Sequence, residues 1–162
     1  SLDVIDNVIP NIGGEEEKVE WEPLKMLGKL DGNNLHLSPV QISAHTNRVA
    51  VVDGHTVCAS VSIPSGPNME EITNALDKYK GPELAQDLPS SPQPIIDIRF
   101  ESDRPQPKLD RFTGKGMTTV VGRIRKDPLF TVKFVVLSHN TIRGAAGGSI
   151  YNAELFVKKG YL

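Results

Sequence analysis

Apolar and polar residues alternate twice in the first half of the chain. Val40, Ile42 and Ala44 form one set, and Val57, Ala59, Val61 and Ile63 the other. This is the period-two signature of half-buried strand, so strand is predicted from Val40 to Ile63, with Asp53-Gly54 as a turn inside it. Ahead of this region, residues 15–27 (EEEKVEWEPLKML) place Val19, Leu24 and Leu27 on roughly one helical face. Three glutamates fill the first turn, where the helix dipole favours them, and Pro23 is a point at which the helix kinks or splits. LDGNN then turns the chain. Beyond the strands, Asn68 is a suitable cap for a helix over Met69–Tyr79 with Ile72, Leu76 and Tyr79 inward. A Pro-rich stretch from Gly81 to Pro107 contains one short strand, PIIDIRF. MTTVVGRIR (117–125) and FTVKFVVL (130–137) are the strongest strands, joined as a hairpin at Lys126-Asp127-Pro128. A last helix runs from about Asn140 to Lys159 with Gly160 as its stop. Helices segregated from a largely antiparallel sheet predict an α+β fold.

Composition narrows the function classes. The 162 residues carry 18 Lys and Arg against 20 Asp and Glu, a net charge of −2, whereas nucleic-acid binders usually show a basic excess or stripe. No nucleic-acid partner is expected. The length suits one domain, residues 1–162. A single cysteine, Cys58, allows no internal disulfide and no cysteine-pair zinc knuckle. No apolar run approaches a membrane span and the first residues do not read as a signal peptide, so a soluble, cytoplasmic protein without a membrane partner is expected. The chain does not begin with methionine, which is compatible with a piece of something longer.

Few residues announce chemistry by themselves. Gly144, Gly147 and Gly148 follow a strand and open a helix, but their spacing is neither a dinucleotide fingerprint nor a P-loop. Small residues there let the helix approach another element closely. The four histidines, His36, His45, His55 and His139, form no metal-ligand spacing, and no metal is assigned. On one continuous strand, Arg48 and His55 would be roughly 23 Å apart and on opposite faces. If Asp53-Gly54 reverses the chain, the gap falls to roughly 13 Å, which a guanidinium stem, a four-carbon anion and an imidazole fill together. A carboxylate clamp with an acid/base and an idle hairpin tip both fit that geometry. The run Glu15-Glu16-Glu17-Lys18 reads equally as a solvated first turn or as a carboxylate and ammonium presented at a helix start.

The strings NVIPNIGGEEEKVEWE, NRVAVVDGHT and LSHNTIRGAAGGSIYNAEL together resemble the second half of aspartate-β-semialdehyde dehydrogenase, in its fungal and archaeal branch. The likeness runs from Asp6 to Leu162. It implies a fold like the C-terminal domain of glyceraldehyde-3-phosphate dehydrogenase-like enzymes, with a mixed sheet and helices on one face. It also implies a small-molecule substrate and a homodimer or tetramer. The family's first half carries the NADP-binding domain and the nucleophilic cysteine, and Cys58 does not match that cysteine. Helix 140–159 would pack on the cofactor domain. By position, His55 resembles the general acid/base and Arg48 the arginine that grips the substrate carboxylate. Glu15 and Lys18 resemble the groups that bind the substrate amino group and phosphate, with Glu16 an alternative to Glu15. Asn140 resembles the contact to the nicotinamide amide. The implied reaction makes L-aspartate 4-semialdehyde from L-aspartyl-4-phosphate with NADPH, in lysine, threonine and methionine biosynthesis. NADP would be bound mainly outside this chain, which alone would be inactive. Two other readings are a non-catalytic assembly module derived from the enzyme and a binding protein for an acidic metabolite.

Overall fold

The computed structural model describes residues 2–162 and divides into two compact units, residues 1–50 and 51–162.

In the first unit a short 3-10 turn, Leu2–Val4, precedes helix α1, Glu15–Met26. Pro23 lies inside α1 without splitting it. LDGNN turns as expected, joining β1 (Lys29–Asp31) to β2 (Asn34–His36) as an antiparallel hairpin. The strand expected from Val40 is absent, and the reason is a competition for backbone donors. Glu16 and Glu20, one turn apart on α1, accept the N–H groups of Thr46 (2.8 Å) and Ala44 (2.9 Å). Four helical residues rise about 6 Å and two extended residues about 6.7 Å, so the two repeats match. The extended segment therefore hangs on helix side chains instead of a neighbouring strand. Its one ladder pairing is Arg48 with Ile9, N–H to C=O in both directions at 2.8 and 3.1 Å. None of the described residues of this unit is buried; of the helical face Val19, Leu24 and Leu27, Val19 and Leu27 are exposed and Leu24 half-buried, and Trp21 and Met26 are exposed as well.

The second unit is built on a four-stranded mixed sheet in the order β3-β6-β5-β4. Its strands are β3 (His55–Val61), β4 (Ile96–Arg99), β5 (Thr119–Lys126) and β6 (Val132–Ser138). β3–β6 and β6–β5 are antiparallel and β5–β4 parallel, which agrees with the α+β expectation. The β5–β6 hairpin forms where Asp127 stands: its Oδ1 accepts from the N–H groups of Leu129 and Phe130, and its Oδ2 from the Ser60 hydroxyl. Val120, Val121, Val132 and Leu137 are the buried centre.

Helix α2 (Met69–Asp77) starts in a capping box between Asn68 and Glu71 and packs on β4 and β5. It buries Ile72, while Tyr79, expected inward, lies past its end and is exposed. Two single turns, α3 (Glu83–Gln86) and α4 (Pro107–Asp110), interrupt the Pro-rich region. The final helix begins later than predicted. Ile142–Ala146 is a π-helical turn, in which the N–H groups of Gly144 and Ala146 reach back five residues to His139 and Thr141, and α5 proper spans Gly147–Lys158. A Cβ on Gly147 would lie 2.5 Å from Met117 Sδ, so Gly147 serves close packing, while Gly144 has nothing nearer than the His139 carbonyl at 3.8 Å. Tyr151 and Glu154 tie α5 to Ala85 and Ser90.

Candidate functional site

His55 opens β3, paired in register with Ser138 of β6. Its side chain is exposed, and among the described residues the ring makes no hydrogen bond. What holds it is the backbone just before it. Gly54 has φ 112°, a conformation that strongly favours glycine, and an added Cβ would meet Leu137, Pro107 and Arg111 at 3.1–3.7 Å. Its N–H donates to Asn140 Oδ1 at 2.8 Å. The Asp53 carbonyl accepts from Arg111 Nη1 at 3.4 Å, and Asp53 Oδ1 lies 3.3 Å from the Thr141 hydroxyl, itself 3.3 Å from His139 Nδ1. A carboxylate only accepts, so Thr141 donates to Asp53 and accepts from a protonated His139 Nδ1. His139 is buried against Phe112, and its Nε2 has no partner among the described residues.

The 104–111 segment that walls in Gly54 is itself anchored. Asp110 is fully buried and accepts from Arg104 through both Nε (2.7 Å) and Nη2 and from the Gln106 N–H (2.7 Å), with Arg99 Nε 3.3 Å away as an ion pair that is not hydrogen-bonded. The hydrogen-bonded Arg104 guanidinium holds the Asp110 carboxyl below its ordinary range against the opposing effect of burial.

Arg48, Glu15 and Lys18 belong to the first unit, and His55 and Asn140 to the second. Within the first, Lys18 Nζ pairs with Glu15 Oε1 at 2.8 Å, both side chains partly exposed, and this contact raises the lysine pKa. Glu16 is committed to the Thr46 N–H, which leaves Glu15 as the carboxylate beside the lysine. Arg48 is exposed. The expected hairpin turn at Asp53-Gly54 does not form: Val52-Asp53 is a bend, Gly54 runs straight into β3, and Arg48 pairs with Ile9. The distance argument built on that hairpin therefore falls.

A family model described as the semialdehyde dehydrogenase dimerisation domain matches residues 1–143. The chain belongs to this family. Across 98% of its length it is 50% identical to the aspartate-semialdehyde dehydrogenase of Archaeoglobus fulgidus, and across its full length 44% identical to that of Schizosaccharomyces pombe. It covers 45% and 47% of those proteins, so this dimerisation-domain chain spans about half the length of the relatives it matches. Among solved structures it resembles aspartate semialdehyde dehydrogenase with NADP from Candida albicans, with a TM-score of 0.89 and 40% identity over 99% of this chain and 47% of that one. A Vibrio cholerae aspartate semialdehyde dehydrogenase II matches at a TM-score of 0.73 and 25% identity.

For the nicotinamide end of a dinucleotide, the dimerisation domain offers a partial fit. Asn140 turns its oxygen inward to Gly54, its amide nitrogen has no partner among the described residues, and Gly144, Ala145 and Ala146 of the turn that follows are exposed. Sequence reasoning missed Arg111, Thr141, His139 and Asp110 as supports of His55. No local spacing signals Arg111 or Thr141, since their bonds to Asp53 join residues 58 and 88 positions apart.

Proposed function

We propose that this chain is the substrate-binding and dimerisation part of an NADP-dependent, phosphorylating aspartate-semialdehyde dehydrogenase of the cytoplasm. The observation that carries the reading is identity of 50% over 98% of the chain to an enzyme of that name. His55, exposed at the head of β3, transfers the proton to or from the substrate oxygen as it changes between acyl and aldehyde states. Arg48 binds the substrate α-carboxylate with its planar two-donor fork. Glu15 takes the α-amino group, and Lys18 the phosphate. Asn140 donates its amide N–H to the nicotinamide carboxamide. When bound, NADP supplies or accepts hydride, and most of its binding surface belongs to a cofactor domain against which residues 140–159 pack.

On this reading residues 1–162 act as one substrate-binding and dimerisation domain. The exposed apolar side chains Val57 on β3, Trp21 and Met26 on α1, and Ile150 and Val157 on α5 are surfaces for assembly into a homodimer or tetramer and for that cofactor domain. The 162-residue chain alone is expected to turn over nothing. The deciding measurement is NADP- and phosphate-dependent oxidation of aspartate semialdehyde by the complete protein that carries this chain. His55→Ala is expected to lower kcat by roughly 10²- to 10⁴-fold. Wild-type kcat in that variant, or no such activity in the complete protein, refutes the reading.

A further inference from the structure

Resting on the reading of His55 as the acid/base, we propose that Asn140 is its positioning residue, so that the side chain proposed to meet the nicotinamide amide also sets the backbone that presents the imidazole. His55 lacks what usually orients a catalytic histidine, a carboxylate or carbonyl on its far ring nitrogen: its ring has no hydrogen-bond partner among the described residues. Its direction is therefore inherited from the backbone of residues 53–55. That backbone is fastened to the four residues ending β6 and following it. His55 pairs with Ser138, Gly54 N–H with Asn140 Oδ1, and Asp53 Oδ1 with the His139–Thr141 relay.

The Asn140 bond is the short one, 2.8 Å against 3.3 Å for each link of the relay. It also acts on the residue next to His55, through the Asp53–Gly54 peptide. A backbone N–H can face only an acceptor, so the inward atom of the Asn140 amide is its oxygen and the outward group is the NH2 donor. One planar amide thus has an inner end holding Gly54 and an outer end free for an acceptor. Any acceptor bound outside, the carboxamide oxygen of nicotinamide included, restricts rotation of that plane and steadies the bond inside. Leu137, Pro107 and Arg111 around Gly54 leave the peptide little room to settle elsewhere.

Aspartate in place of Asn140 separates the two ends, since it keeps an acceptor for Gly54 and removes the donor. In the complete protein without cofactor, Asn140→Ala is expected to speed amide hydrogen exchange at Gly54 by about tenfold, the effect of one lost hydrogen bond. Val135 and Val136 should keep their protection. In turnover the same variant is expected to lose about 10- to 100-fold in kcat, the scale of a small misplacement of a catalytic group. Asn140→Asp is expected to keep Gly54 protected, to lose less kcat than the alanine variant, and to raise KM for NADP. Wild-type exchange at Gly54 in Asn140→Ala overturns the proposal, as does faster exchange there with kcat unmoved, or equal kcat losses in the two variants. Should Asn140→Ala lose protection at Val135 and Val136 as well, Asn140→Asp decides: retained protection at Gly54 with a raised KM supports the positioning role, and lost protection refutes it. A His55→Ala variant with wild-type kcat would instead overturn the acid/base reading, a failure the exchange data cannot produce.

Discussion

Replacing Asp110 by asparagine tests the anchor under the His55 turn. The carboxylate is fully buried and takes three hydrogen bonds, from Arg104 Nε and Nη2 and the Gln106 N–H, with the Arg99 guanidinium 3.3 Å away as a second positive charge. Asparagine has the same shape but one acceptor oxygen, and its NH2 would point a donor at a guanidinium. Removing one partner of a buried ion pair costs roughly 3–5 kcal/mol. Here the loss should fall near about 3 kcal/mol, the low end of that range, because the Arg104 and Arg99 side chains keep 21% and 29% exposure and can turn to water. Urea unfolding of the complete protein, read as the midpoint at constant slope, measures it. Asp103→Asn is the control, because Asp103 is exposed and accepts one 3.0 Å bond from Gln106 Nε2; a change within about 0.5 kcal/mol is expected there. The pH dependence follows from the depressed Asp110 pKa. A folded pKa below the unfolded value of about 3.9 gives stability that is complete above that value and lost as pH falls through the folded one. The gap between wild type and Asp110→Asn should therefore be constant near neutrality and close below about pH 4. A loss under about 1 kcal/mol at pH 7, or a gap that persists undiminished to pH 3, would show that Asp110 is not the ionised anchor described.

Gly122→Ala should destabilise by about 1–3 kcal/mol, the usual range for overpacking. Its Cβ would fall 2.4 Å from the Arg104 carbonyl and 2.9 Å from Pro105 Cδ, and an unchanged urea midpoint would contradict that close approach. Arg48→Lys should lower kcat/KM for aspartate semialdehyde mainly through KM, because an ammonium cannot make the two-pronged carboxylate contact; wild-type kcat/KM would remove Arg48 from substrate binding.

Elements whose hydrogen bonds close within a few residues could be read directly. Asn68 and Glu71 satisfy each other three positions apart, the β5–β6 hairpin turns on Asp127 bonds two and three residues long, and the glutamates of the first turn begin α1 where expected. The motifs around Glu15, Arg48, His55 and Asn140 were legible for the same reason, since each is a short string whose likeness to a family needs no knowledge of distant contacts.

Tertiary structure decided whatever depended on a partner far along the chain. Val40–Ala44 alternates like a strand, yet Glu20 claims the Ala44 N–H from 24 residues before it and Glu16 the N–H of Thr46, just past the segment, from 30 residues before. Alternation reports which side chains point alike, not which acceptor a backbone will find. The placing of His55 also depends on distant partners: its neighbours Asp53 and Gly54 are held by Arg111, Asn140 and Thr141, 58 to 88 positions away. Residue types and their local order carry the chemistry available to this protein, but the free energy that aims those groups comes from contacts that exist only once the sheet has closed.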